Sequence, residues 1–135
     1  MSEKKSEKKE VEEKKEQQTP RGALAKLASS PSEEQIEQWK ATHGDIYVTG
    51  FSDTEMFVWR TINRAEYLAL QEKVATQGMS EAQSEELLCD TCLLWPTQMS
   101  WATGKGGTPT TLSEQIMQRS HFLSGMTANM IVAKL

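Results

Sequence analysis

LLCDTCLLWPTQMSWATGKGGTPTTLSEQIMQRSHF, residues 87–122, places two helix-patterned segments on either side of a loop dense in unusual residues. The stretch holds both cysteines of the chain, two of its four tryptophans, three of its eight glycines and two of its four prolines. Ser80 opens the first segment. Leu88, Cys92 and Trp95 follow at i, i+4 and i+7, Leu87 and Leu94 stand beside them, and Pro96 closes it, which predicts a helix buried over its C-terminal half. Thr97 to Pro109, with Gly104, Gly106 and Gly107, predicts a loop. A cap at Thr110 or Thr111 then predicts a helix through Phe122, with Leu112, Ile116 and either Met117 or Arg119 on its inner side.

Upstream, Asn63 with Glu66 three residues on predicts a capped helix whose buried stripe is Tyr67, Leu70 and Val74 and whose stop is Gly78. Before it, IYVTGF and MFVWRTI flank Ser52 to Glu55 and alternate as a β-hairpin does. A loop of two or four residues puts Ile46 and Val48 on one face with Phe57 and Trp59, and Tyr47 on the other with Met56 and Val58. Both faces are apolar. A lone two-stranded hairpin is marginal in water, so this one is expected to be covered by helices, joined to other strands, or paired with a neighbour. Ser32 followed by Gln35 marks a further helix to about His43, with Trp39 as its core anchor and Gly44 as its stop. The predicted fold class is α+β: a mostly helical small domain, residues 33–135, with one antiparallel hairpin. Residues 20–32 read as a linker with an apolar cluster at Ala23, Leu24 and Leu27, able to dock as one helical turn. Residues 1–19 read as a charged arm, disordered or ordered by a partner. Past Phe122 the helix-spaced Met126, Met130 and Ile131 predict an apolar helical tail.

The arm carries six lysines and six glutamates, which cancel, whereas the chain from Glu33 onward has 13 acidic and 7 basic residues within a net charge of −4. An acidic body does not suit direct nucleic-acid binding, which needs cations enough to neutralise several phosphates. No apolar run approaches the ~20 residues of a membrane span. No h-region of a secretory signal is present, and two cysteines make no disulfide framework, so reduced thiols in a cytoplasmic setting are expected.

Cys89 and Cys92 form C-x-x-C. Placed late in a helix, both sulfurs share one face, where a cysteine packs as a small hydrophobe. The alternatives are a zinc half-site, for which His43 and His121 are the other candidate ligands, and a redox pair, although the motif does not start a helix after a strand. The run Gly104-Lys105-Gly106-Gly107-Thr108 lacks the P-loop spacing and reads as a loop that is flexible or ordered by a partner. Trp95 and Trp101 flank it, either covering the core or anchoring an interface. No G-x-S-x-G and no Ser/His/acid grouping suggests nucleophilic catalysis, and no cofactor or enzyme activity is expected.

Cys92-Leu93-Leu94-Trp95-Pro96, followed after the loop by GTPTTLSEQIMQRSHF from Gly107 to Phe122, resembles the small baseplate hub and tail-assembly proteins of contractile-tailed, T-even-type bacteriophages. In such proteins an acidic-Tyr pair, here Glu66-Tyr67, precedes Cys-x-x-Trp-Pro. The closing helix ends near Ser-Gly-Phe, where this chain has His121 in place of Gly. The likeness covers about residues 45–123. It implies a structural or assembly component, in the virion or in the host cytoplasm during assembly, that binds other tail or baseplate proteins and is present in multiple copies. Partner contacts are expected from the hairpin, the termini and Trp95, Trp101, Lys105, Met126 and Met130. A reading from another class is a zinc-stabilised bacterial adaptor using Cys89 and Cys92.

Overall fold

Met56, Phe57, Val58 and Trp59 are buried in succession, so both faces of this strand are covered. The computed structural model describes residues 20–27, 29–97, 99–122 and 133–135. It shows the expected α+β class: among the described residues, five helices and a three-stranded antiparallel sheet of order β1-β2-β3, with β1 at Ile46–Gly50, β2 at Met56–Arg60 and β3 at Leu93–Trp95. The helices are α1 (Pro20–Ala25), α2 (Glu33–His43), α3 (Arg64–Gln77), α4 (Glu81–Cys92) and α5 (Thr108–Arg119), with a 3₁₀ turn at Trp101–Thr103. The chain divides between Val58 and Trp59 into two compact units. The charged arm (residues 1–19) and the tail residues Met126, Met130 and Ile131 lie outside the described residues.

In the N-terminal unit the Ser32 side chain accepts from Gln35 N at 3.1 Å, and α2 stops at Gly44, whose φ is +81°. Trp39 is half-buried and no residue of α2 is buried, so it is no core anchor. Leu24, within the segment expected to be a linker, is buried instead, and α1 lies against β1.

The hairpin's register differs from the expected one by a residue. Phe51 N donates to Glu55 O at 2.9 Å, closing a three-residue loop, and the Ser52 hydroxyl accepts from the amides of Thr54 and Glu55 at 3.3 and 3.2 Å. An odd loop makes residues of equal parity share a face, and a one-residue slip exchanges the faces. Phe51 accordingly meets Phe57 edge-on at 5.8 Å, while Val48 and Val58 line one hollow with Ile46, Leu24 and Ile36. The face for Ile46 and Val48 is thus Val58's, not Phe57's.

In the C-terminal unit both expected caps of α3 are present. Asn63 and Glu66 form a full capping box, and Gly78 ends the helix in the left-handed region at φ +60°. Leu70 is buried, with Tyr67 and Val74 half-buried. Ser80 and Gln83 form a second capping box for α4. That helix ends at Cys92, not at Pro96. Leu93 is extended (φ −70°, ψ 126°), and Leu93–Trp95 form β3. Two physical reasons act together: a residue before proline is pushed out of the α region, and Leu-Leu-Trp covers a sheet edge that would otherwise expose unpaired backbone.

α5 begins before either expected threonine cap, with Gly107 as N-cap and Pro109 in the first turn. Proline's missing N–H is one of the donors a helix start leaves unpaired anyway. Leu112 and Ile116 are each only 1% exposed, and Met117, not Arg119, is the half-buried third member. The helix stops at Arg119 rather than Phe122 because His121 takes φ +67°. His121 N donates to Gln118 O at 3.1 Å and Phe122 N to Met117 O at 2.9 Å, the paired bonds of a Schellman C-terminus. A side chain in that region costs about 1 kcal/mol relative to glycine. His121→Gly is therefore expected to stabilise the protein by about 1 kcal/mol in urea unfolding, and a loss of stability would show that the imidazole has a compensating contact.

Candidate functional site

α4 carries Cys89 and Cys92 one turn apart, 1% and 0% exposed, facing α5 and the core. Cys89 Sγ donates to Pro109 O at 3.3 Å, tying α4 to the first turn of α5. Burial pushes the Cys89 thiol up to about 12, with the Asp90 charge adding to it. It also pushes Cys92 up to about 12, against the opposing pull of the Arg60 guanidinium. A thiol needs its thiolate form to bind zinc or attack a disulfide, and here that form is disfavoured. His43 and His121 are exposed at helix ends, and among the described residues no three His, Cys, Asp or Glu side chains come together as a metal cluster.

Arg60 closes the same region from the sheet side. Its guanidinium makes a bidentate pair with Glu66 (Nη1 to Oε1 2.9 Å, Nη2 to Oε2 2.7 Å) and donates to the carbonyls of Thr61 at 3.1 Å and Thr91 at 3.0 Å. Thr91 belongs to the last turn of α4, whose carbonyls have no partner within the helix. Glu66 also serves the α3 capping box. One side chain thus joins β2, the start of α3 and the end of α4. The neighbour of Glu66 has its own partner, since the Tyr67 ring packs on Phe122 at 4.3 Å and carries the Arg64 guanidinium 5.6 Å from its centroid.

Of the residues expected to meet a partner, Trp95 is half-buried in β3 and Trp101 is half-buried in the 3₁₀ turn. Trp101 Nε1 donates to Asp90 Oδ1 at 2.8 Å, which pins the loop to the outer side of α4. Lys105 is exposed, and its carbonyl accepts from Thr108 N at 3.2 Å. Met126 and Met130 lie outside the described residues.

A surface feature that the sequence did not suggest lies elsewhere in this unit. α3, α4 and α5 enclose an open groove of about 430 Å³. Leu70 and Leu88 are its buried floor, Tyr67 and Met117 its half-buried walls, and the charged residues lining it, Glu81, Glu85 and Glu114, are all carboxylates. Thr110 Oγ1 donates to Glu85 Oε2 at 2.6 Å across the α4/α5 seam, so one carboxylate is held in place. Glu81, Glu85 and Leu88 stand at i, i+4 and i+7 on α4, a spacing that marks them as one helix face. The opposing residues come from two other helices, and no local pattern joins them. An apolar floor with anionic edges can hold an apolar segment and select its flanking charge.

Compared with protein-family models, curated proteins and solved structures, the chain matches none.

Proposed function

We propose that the chain is a structural or assembly component of a contractile bacteriophage tail or baseplate, acting by binding neighbouring tail proteins. One observation carries this reading. The residues on which the resemblance rests build a single frame: Cys92 fills the core at the end of α4, Leu93–Trp95 form a sheet strand, Leu112 and Ile116 fill the core from α5, and Glu66-Tyr67 join Arg60 and Phe122. Their roles are packing and hydrogen bonding, as a protein that works by presenting surface requires.

The surface the frame presents suits binding. Trp101 and Trp95 stand half-buried around the loop, and partly exposed tryptophans are frequent anchors of interfaces. The cysteines serve the frame, which leaves recognition to the loop, the hairpin and the groove. The test is co-expression with the tail structural proteins encoded beside its gene, with a complex expected to survive purification. Trp101→Ala is expected to weaken that complex by about 2 kcal/mol, the scale of an interface anchor.

A further inference from the structure

We infer that the groove between α3, α4 and α5 is a docking site for a basic amphipathic helix of a partner protein. The inference deepens the assembly reading above and rests on it for the partner's setting, but its chemistry stands on the groove itself. Three helices already define the walls, and a fourth helix is the element that fills such a space with its apolar side inward. Leu70 and Leu88 supply a buried apolar floor, with Met117 as an adaptable wall; methionine side chains repack readily around varied apolar partners. Charge then selects the occupant. Glu81 and Glu114 are exposed at the groove and Glu85 is half-buried, with no lysine or arginine among the described residues that line it. An incoming helix with leucine-type residues at i, i+3 or i+4, and i+7, flanked by lysine or arginine, satisfies both requirements. An acidic helix would set like charges against three carboxylates.

The test uses the full chain and two synthetic helical peptides that share leucines at that spacing, one with lysines on the flanks and one with glutamates in their place. Binding is followed through the methyl resonances of Leu88 and Met117. The lysine peptide is expected to shift these resonances, to bind at least about tenfold more tightly than the glutamate peptide, and to weaken as salt is raised. In the doubly substituted Glu81→Gln, Glu114→Gln protein the preference is expected to shrink severalfold, with an unchanged circular dichroism spectrum showing that the fold persists. Met117→Ala, which leaves all three carboxylates, is expected to weaken both peptides alike. Absence of binding by the lysine peptide at about millimolar concentration, or equal binding of the two peptides, overturns the inference. So does a groove already filled in the free protein, by the chain's own residues 123–132 as seen in contacts from Met126 or Met130, or by a second copy as seen in concentration-dependent dimerisation. A tail-protein complex that forms equally well with the Gln variants would remove the groove from that interface and leave the assembly reading standing. Peptide binding without any tail-protein complex would do the reverse.

Discussion

At about pH 8, Cys89 and Cys92 are expected to be alkylated about a thousandfold more slowly in the native protein than in denaturant. The thiolate is the reacting species, and its fraction falls tenfold for each unit by which the pKa rises above the pH. Both thiols rise from 9.0 to about 12. With 1% and 0% exposure, burial of the sulfurs also slows access of a reagent. The same shift has a consequence for stability. A thiol with a raised pKa in the folded state binds more protons folded than unfolded between the two values. Its stabilising contribution is complete below the unfolded thiol's ordinary value of 9.0 and is lost as the pH rises from there toward about 12. The slope is roughly 1.4 kcal/mol per pH unit per thiol. Denaturation midpoints should therefore hold below about pH 8 and fall above about pH 9, and Cys89→Ala with Cys92→Ala should flatten the alkaline limb while lowering stability at neutral pH. Rapid alkylation of the native protein would contradict the packing role and restore a redox or metal role to the pair.

Arg60→Ala is expected to destabilise the protein by about 3 kcal/mol, near the lower end of the range for breaking a buried ion pair. The Arg60 side chain is 16% exposed and Glu66 30%, which places the pair between a surface bridge worth under about 1 kcal/mol and a fully buried one. Truncation also strips the Thr91 carbonyl of its Arg60 donor and removes both guanidinium bonds from the Glu66 carboxylate, which keeps its helix-cap contact. Glu66→Gln keeps that cap acceptor and removes the charge, so it should cost less than Arg60→Ala. A double-mutant cycle between the two should give a coupling of about 1–3 kcal/mol. Additive effects in urea unfolding would mean that Arg60 acts through its carbonyl bonds alone.

The boundaries that were legible in the sequence are those set by local chemistry. Ser32, Asn63 with Glu66, Ser80, Gly44 and Gly78 sit where they were expected because a cap is a contact within about four residues. Burial of Leu70, Leu112 and Ile116 also followed from helical spacing. The misplaced features depend on partners far along the chain. Leu93–Trp95 continue the helical pattern of α4 equally well in one dimension, and only the sheet and Pro96 select the extended form. The hairpin parity turned on whether the Ser52 hydroxyl closes the loop one residue earlier, a choice that the apolar character of both faces could not decide. At Trp39 the indole's size suggested a core that α2 does not enter. Arg60, inside the strand-patterned run MFVWRTI, gave no sign of reaching Glu66 and Thr91. The groove was hidden for a similar reason: its floor and carboxylates are contributed by three helices, and only the Glu81, Glu85, Leu88 face of α4 was visible as a pattern.

The cysteines were the most conspicuous candidates for chemistry in the sequence, and in the structure both sulfurs are buried, Cys89 against the first turn of α5. Cys92 and the apolar side of α5 hold the frame together, whereas Trp101 and Lys105 lie on the loop that the frame projects.

The co-expression experiment, read by size-exclusion chromatography with light scattering, bears most directly on the proposed role. The full chain, co-produced with tail and baseplate proteins encoded beside it, is predicted to elute in a complex of defined stoichiometry with at least one of them, and the Trp101→Ala chain to be partly released. A chain that elutes as a free monomer with every one of those proteins, while its folding is intact by circular dichroism, would contradict the account.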